Sequence, residues 1–298
     1  MKKIVYLSLI GSLTLAGSLA LAGCSSAIDA KKVSVESYRS GEKFTSKTAS
    51  KTYALKSKVS AVTNTTFADV EYVRGTANEL IVTGPETEIE NILVRTSGNG
   101  VMISCIKNYP NGTPKIKIKV TTPALEDFTL TGPGNFTAKS VQSPLHFRMR
   151  LTGAGKAQIA SIQSPSVELL LSGAGGLEVA DIEGSSTNIT LTGAGDVEVA
   201  SIKTSVAILR LPGAGDIEID HLSAPSTEIL LSGAGDIEID KIETSTLTAN
   251  STGAGNIRIS GEAADMRLIS TGAGNIDATG MKSGSTSKLQ RGVGVIKD

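Results

Sequence analysis

Hydrophobic and polar residues alternate along the second half of the chain in a unit that recurs every 19 to 21 residues. The unit is marked by the triplet Gly-Ala-Gly, which starts at Gly153, Gly173, Gly193, Gly213, Gly233, Gly253 and Gly272, with variant copies at Gly132 and Gly292. Around Gly213 the apolar positions are Leu209, Leu211, Ile217, Ile219 and Leu222. Alternation with a period of two predicts β-strands with one buried face, and a fixed period of this length is typical of a solenoid.

The alternation continues unbroken through the triplet, so both glycines are predicted to face inward and the alanine outward. Glycine at such a position supplies either a positive φ at a bend or room for a closely approaching backbone, and the pattern fits both. The inward positions then change phase, which predicts a corner seven or eight residues after the triplet begins. A further corner is predicted near the twelfth residue, where Pro144, Pro165 and Pro225 lie among small polar residues.

One such unit cannot bury its apolar stripe alone, whereas parallel stacking of units at about 4.8 Å buries it. Because parallel crossovers are right-handed, the predicted fold is all-β, a right-handed parallel β-helix with about 20 residues per coil. A β-propeller, the alternative, has units about twice as long. Residues 126–298 are the predicted regular coils. Residues 59–125 alternate without the triplet and are predicted to form an irregular β cap over the N-terminal edge, built either of irregular coils or of a small sheet.

The first 23 residues combine Lys2 and Lys3 with an uncharged apolar stretch, which is typical of a secretory signal. They end in Leu-Ala-Gly before Cys24, which resembles a lipobox and predicts a lipid on Cys24. An ordinary signal with an incidental cysteine and a retained membrane helix are the alternatives. Residues 24–58 are rich in Ser, Thr and Lys and are predicted to be a flexible tether, with contact between its lysines and anionic lipid as the alternative. Ser25 favours sorting to the outer membrane.

The composition limits the classes of partner that the protein is expected to bind. The formal net charge is zero, so no global field favours nucleic acid. Aromatic residues are 3% of the chain and tryptophan is absent, which argues against a sugar-binding platform of stacked rings. Cys105 is the one cysteine besides Cys24, and its strand-like surroundings predict a buried, inert thiol. The predicted partners are a membrane, through the lipid, and an unknown protein or glycan.

Outward positions after the triplet are acidic in the central units. They form two predicted ladders, and we take as the candidate binding face Asp196, Glu198, Asp216, Glu218, Asp236 and Glu238. Stacked like charges raise one another's pKa or recruit a cation such as calcium. The alternative, which we favour, is that each aspartate is a turn residue bonding its own backbone and the glutamates are a solvated face. No metal or cofactor site is predicted.

Polysaccharide lyases and hydrolases also use carboxylates on one outer face of a β-helix, so catalysis is an alternative hypothesis for this chain. Candidate pairs such as Asp216 with Glu238 are members of a repeated ladder, whereas a catalytic site is normally a local break in a repeat. The two histidines, His146 and His221, lie at outward or corner positions. The sequence therefore predicts no catalytic residue and no enzyme activity.

The chain resembles the head GIN domain family of auto-transporter adhesins, which are common as lipoproteins in Bacteroidota. The resemblance rests on the strand at 67–74, Leu-Ile-Val-Thr-Gly at 80–84 ahead of 92–94, the approach at 115–123 to Leu-Thr-Gly at 130–132, and the Ser/Thr-Gly-x-Gly-Asp/Asn units. It implies a right-handed β-helix and transfers no catalytic residue. The resulting hypothesis is a lipid-anchored, non-enzymatic β-helix that binds a partner in the cell envelope. A polysaccharide-active enzyme and a ligand-free spacer are the alternatives.

Overall fold

The computed structural model describes residues 47–55, 58–110 and 112–298. The predicted signal at 1–23, the lipidation site at Cys24 and most of the predicted tether lie outside the described residues. The described strands are β1 Thr48–Ala54, β2 Ala61–Asn64, β3 Asp69–Arg74, β4 Glu79–Pro85, β5 Ile92–Ser97, β6 Gly100–Cys105, β7 Lys117–Thr122, β8 Asp127–Leu130, β9 Phe136–Ala138, β10 Val141–Gln142, β11 Phe147–Leu151, β12 Lys156–Gln163, β13 Ser166–Leu171, β14 Gly176–Glu183, β15 Ser186–Leu191, β16 Asp196–Lys203, β17 Val206–Leu211, β18 Ile217–Leu231, β19 Ile237–Ser251, β20 Ile257–Ser270, β21 Ile276–Gln290 and β22 Ile296–Lys297. A single turn of helix, α1, covers Glu86–Ile89.

Two long stacks of parallel strands run through the repeat region. The strands after each triplet stack as β9, β12, β14 and β16, and those before it as β8, β11, β13, β15 and β17; both stacks continue in β18 to β21. Like positions of successive units pair directly, for example Val199 with Ile219 and Leu209 with Ile229. This register confirms the predicted parallel β-helix of about 20 residues per coil.

The core consists of columns of like apolar residues at the inward positions. In one column Leu171, Leu191, Leu211 and Leu231 are at most 1% exposed. Along β18 the alternation of buried and exposed residues breaks at Asp220–His221 and again at Pro225–Ser226. The two corners therefore lie at their predicted places. The change of phase predicted the first, and the prolines predicted the second.

The triplet glycines are required by close backbone approach. Among the described residues, positive φ is confined to glycines outside the triplets, at Gly98, Gly112 and Gly261. A Cβ placed on Gly215 would lie less than 3.0 Å from the carbonyl oxygen of Gly195, its counterpart one coil earlier. The same holds at both glycines of every Gly-Ala-Gly copy. Of the two roles that the pattern left open, the structure therefore assigns room for a close backbone and not a positive φ.

The one 19-residue step, from Gly253 to Gly272, is absorbed at a corner. The register between β19 and β20 shifts after Ile239, so that Ile242 faces Gly261. Gly261 has a φ of +132°, which an L side chain rarely adopts, and a Cβ there would clash with the Ile242 backbone. The missing residue is therefore accommodated by a glycine that takes a different backbone path.

The solenoid begins before the first triplet. Strands β2 and β3 pair in parallel with β8 and β9, so they form a full coil within the region predicted as the irregular cap. In this coil Thr66 and Ala68 occupy the places of the triplet glycines, directly below Gly132 and Gly134.

Antiparallel strands close the N-terminal end. Strands β6 and β7 continue the parallel stacks, β5 pairs antiparallel with β6, β4 with β7, and β1 with β4. The predicted tether at 24–58 is therefore wrong for Thr48–Ala54, which is an edge strand. Its composition concealed it, because both faces of this strand remain at least partly exposed and carry no continuous apolar pattern.

At the other end the last coil carries polar residues where earlier coils are apolar. Thr286, Lys288 and Gln290 fill inward positions of β21 and are exposed. Polar residues at these places separate the apolar core from solvent, as terminal repeats of solenoids do. Within the described residues, the structure contains no helix of the length and apolarity needed to cross a membrane.

Candidate functional site

An open groove of about 560 Å³ crosses the strands that follow the triplets. Its floor consists of Ala160, Ala180 and Ala200, which occupy the same outward position in three successive coils. The flanking coils place Lys139 and Asp220 at this position. The groove exists because three small side chains leave a trough between longer ones.

A column of glutamates forms one wall of this groove. Glu178, Glu198 and Glu218 line it, and Glu238 continues the column in direct register. At one end Gln158 Nε2 donates to Glu178 Oε2 at 2.6 Å. At the other end, Arg258 Nη1 donates to Glu238 Oε1 at 2.9 Å. The two ends of the column are thus tied to neighbouring coils, while Glu198 and Glu218 border the open trough.

Both burial and the neighbouring carboxylates affect the pKa of Glu218. Burial raises the pKa of Glu218, and the charges of Glu198, Glu238, Asp216 and Asp196 raise it further. These five residues, with Asp236, are the six predicted as the candidate binding face, and the structure brings all six onto one face. A positively charged group placed beside Glu218 would relieve this repulsion.

The aspartate column has a structural role. Asp216 Oδ1 accepts the backbone N–H of Asp236 at 2.8 Å, and Asp236 Oδ1 accepts that of Asn256 at 2.6 Å. The prediction of a turn residue bonding its own backbone is therefore wrong in the donor, which is a backbone N–H of the next coil. The column fastens one coil to the next, and the glutamates are the carboxylates that face the groove.

The same contact between coils recurs outside the acidic coils, where asparagine takes the place of aspartate. Asn135 donates to Asp69 Oδ1 through both its backbone and its side-chain nitrogen. Asn275 bonds Asn256 Oδ1 in the same way. Both residue types supply an oxygen acceptor, whereas Lys156 and Gly176 at the equivalent positions of two intervening coils do not. Within the described ranges, no group of three or more His, Cys, Asp or Glu side chains is arranged to hold a metal ion.

A second concavity of about 660 Å³ extends the groove toward the N-terminal end, sharing Glu71, Thr137 and Gln158 with the first. Lys117, Lys119 and Lys156 line it. The groove therefore changes from mixed and basic to acidic along its length. Sequence analysis missed the basic part because β7 carries no triplet, although the alternation of lysine and isoleucine at 115–119 indicates an outward lysine row.

A separate polar cluster fastens the loop after β6. Glu88 is 4% exposed and accepts hydrogen bonds from Tyr109 Oη at 2.5 Å, Lys107 Nζ at 3.2 Å and Asn91 Nδ2 at 3.0 Å. Burial raises the pKa of Glu88, but the bonds from Tyr109 and Lys107 outweigh it, so the pKa is lowered overall. The hydrogen bonds from these neighbours compensate the buried charge of Glu88, so the cluster stabilises the fold and is not a candidate site.

The remaining predicted residues lie outside the groove. Cys105 is half-buried, its thiol donates to the carbonyl of Lys107 at 3.3 Å, and burial raises its pKa, which disfavours the reactive thiolate. His146 Nε2 lies 3.5 Å from Asp127 Oδ2 on the opposite side of the coil. His221 lies at a corner. The structure brings neither histidine into the groove.

Comparison with known families accounts for both the cap and the repeats. The model of the family described as "Putative auto-transporter adhesin, head GIN domain" matches residues 59–221 and 205–297. The chain belongs to this family. The match covers the N-terminal β region as well as the triplet coils, so the family assignment inferred from the sequence motifs is confirmed, and with it a class of cell-envelope or cell-surface proteins.

Solved structures show the same fold at low sequence identity. A "putative adhesin" from Parabacteroides distasonis has a TM-score of 0.60 at 12% identity, covering 85% of this chain and 98% of its own. One from Parabacteroides merdae has a TM-score of 0.56 at 12% identity with the same coverage. A "putative lipid binding protein" from Parabacteroides distasonis has a TM-score of 0.53 at 18% identity, covering 84% and 97%. No curated protein sequence matches this chain.

Proposed function

We propose that this protein is a non-catalytic adhesive module of the cell envelope that binds a protein or glycan partner along the groove. Membership of an adhesin family supports the class of function. The proposal rests mainly on the uninterrupted glutamate column beside the alanine floor, because a surface repeated over several coils suits an extended partner. Positively charged groups on that partner would meet Glu198 and Glu218.

The repetition of the glutamate column argues for binding over catalysis. General acid–base chemistry depends on two groups whose surroundings push their pKa values apart. Glu178, Glu198 and Glu218 instead occupy equivalent positions in register, each with a carboxylate neighbour in the next coil. Such a column offers repeated weak contacts, and these add up only for a partner that spans several coils.

The proposed anchor is a lipid on Cys24, with the outer membrane as the destination. The lipobox-like sequence before Cys24 and the serine that follows it support this assignment. Metabolic labelling with a fatty-acid analogue tests it directly. Label is expected on the native chain and not on Cys24→Ser, and label retained by Cys24→Ser would contradict the proposed anchor.

Binding through the groove is tested with a double variant, Glu198→Gln with Glu218→Gln. The matched control is Asp181→Asn with Glu183→Gln, which removes two exposed carboxylates from a different face of the same solenoid. Each variant is compared with the native chain on a glycan array and in a pull-down from envelope extracts.

For any ligand that the native chain captures, each lost groove charge is expected to weaken binding by about two- to fivefold, as exposed ion pairs do. The control is expected to bind like the native chain, and the difference is expected to shrink at high salt. Equal binding by both double variants would contradict the proposal that the ligand binds in the groove. No ligand for the native chain in either assay would favour a ligand-free spacer.

A further inference from the structure

Strand β1 joins the rest of the described chain in an unusual way. Its seven residues pair antiparallel with β4, from Thr48 opposite Pro85 to Ala54 opposite Glu79. None of the seven is buried, and Ala49 and Tyr53 are only partly covered. In β4, by contrast, Leu80 and Val82 are fully buried. The strand is held by its backbone ladder and surface contacts, and contributes little to the core.

The side-chain contacts of β1 include two polar ones and the packing of Ala49 and Tyr53 against the core. Lys51 Nζ pairs with Glu90 at 2.6 Å, and Ser50 Oγ hydrogen-bonds Thr83 Oγ1 at 2.9 Å. The lysine and the glutamate are both substantially exposed, so water replaces these contacts readily. Separating β1 from β4 therefore exposes the apolar surface of Ala49 and Tyr53, but no residue of β1 has to leave a fully buried position.

The rest of the sheet keeps its strand pairing without β1. Strand β4 pairs on its other side with β7, from Glu79 opposite Thr121 to Thr83 opposite Lys117. Removal of β1 would leave this pairing and the inward side chains of β4 in place. The first firm anchor after β1 is Leu55, which is 7% exposed and donates its backbone N–H to Asn78 O at 2.9 Å.

We propose that β1 is a releasable strap, which a load on the preceding chain peels from β4 as far as Leu55 while the solenoid stays folded. The load reaches the ladder at Thr48, so the pairs nearest Pro85 break first. The released segment of seven residues is about 24 Å long at 3.4 Å per residue and would swing away from β4 about Leu55. The role as a load-relieving strap rests on the proposed anchored adhesin, since only a chain held at both its N-terminal side and its groove is pulled across β1.

Hydrogen exchange measures the release without any ligand. The experiment uses the full chain carrying Cys24→Ser and Cys105→Ser, so that no native thiol interferes. Amides of β1 are expected to show about 100-fold less protection than those of β7, with the lowest protection near Thr48, because local openings have lower free energies than global unfolding. Equal protection of β1 and β7 would overturn the proposal.

A disulfide lock provides the matched variant. Thr52→Cys and Ile81→Cys are added in the same background, because these residues face each other across the β1–β4 ladder. Oxidation is expected to raise the protection of β1 to that of β7, and reduction to restore the native pattern. If the reduced form already exchanged as slowly as the oxidised one, β1 would not open independently and the strap would be excluded.

Single-molecule pulling between the N-terminus and a chemical handle at position 180 gives the mechanical test. The reduced protein is expected to lengthen in a first step at low force, before any coil unravels, as the strand of about 24 Å swings away about Leu55, and the oxidised protein is not. A first event that also releases β4 would overturn the proposal. A failure to find a groove ligand would contradict the adhesive function and leave these three results unchanged, so the two proposals fail separately.

Discussion

The substitution Gly215→Ala places a single methyl group at one of the closest backbone approaches in the solenoid. The new Cβ would lie 2.8 Å from the carbonyl carbon of Gly195 and closer still to its oxygen, whereas ordinary contacts of a Cβ begin near 3.4 Å. The opposing atoms are backbone, so no rotamer change relieves the contact. Gly195 is in turn stacked on Gly175 in the same way. Relief therefore requires neighbouring coils to separate or slide.

The size of the effect follows from how little the stack can move. Overpacking a close-packed interior costs about 1–3 kcal/mol where side chains can adjust, and a backbone contact lies at the upper end of that range. We expect Gly215→Ala to destabilise the protein by about 3 kcal/mol. For a domain of this size the melting temperature would fall by roughly 6–12 °C.

The matched control is Gly176→Ala in a nearby coil. A Cβ at Gly176 would meet only side-chain carbons of Lys156 at 3.7 Å or more, and its φ is not positive. This variant is expected to be neutral or more stable by up to about 1 kcal/mol, since alanine restricts the unfolded chain. Both are measured by thermal and urea unfolding followed by circular dichroism. Similar stability of the two variants would refute the close-approach account of the triplet.

Two further predictions concern polar contacts that hold the fold together. Tyr109→Phe removes the 2.5 Å bond to Glu88 and is expected to cost about 1.5–3 kcal/mol at pH 7 in urea unfolding. The folded-state pKa of Glu88 is lowered, so its ionised form stabilises the fold above the reference value of 4.5, and this contribution is lost as the pH falls through the lower folded value. The penalty of Tyr109→Phe should therefore shrink in acid, and a penalty independent of pH would contradict the assignment. Asp236→Ala removes the acceptor for Asn256 and is expected to cost about 0.5–1.5 kcal/mol, whereas Asp240→Ala, at an outward corner position, is expected to change stability by less than about 0.5 kcal/mol. Equal urea midpoints for these two variants would remove the inter-coil role of the aspartate column.

The candidate site was only partly predictable. The repeat places Glu198, Glu218 and Glu238 in one outward column, because residues one period apart stack in register. The trough itself depends on Ala160, Ala180 and Ala200, whose importance appears only once neighbouring side chains are in place. The basic end of the groove was not predictable, since Lys117 and Lys119 belong to a cap strand whose partner, β3, lies far earlier in the chain.

The sequence by itself determined the strands, the inward and outward positions and the corners of this protein, because a period of two inside a period of 20 leaves few other ways to bury the apolar stripe. The tertiary structure decided what the glycines are for, because the carbonyl that excludes a side chain belongs to the coil 20 residues earlier. It also decided that the aspartates bond between coils and that Thr48–Ala54 is a strand. Each of these depends on contacts between residues distant in the chain, and a local pattern carries no record of them.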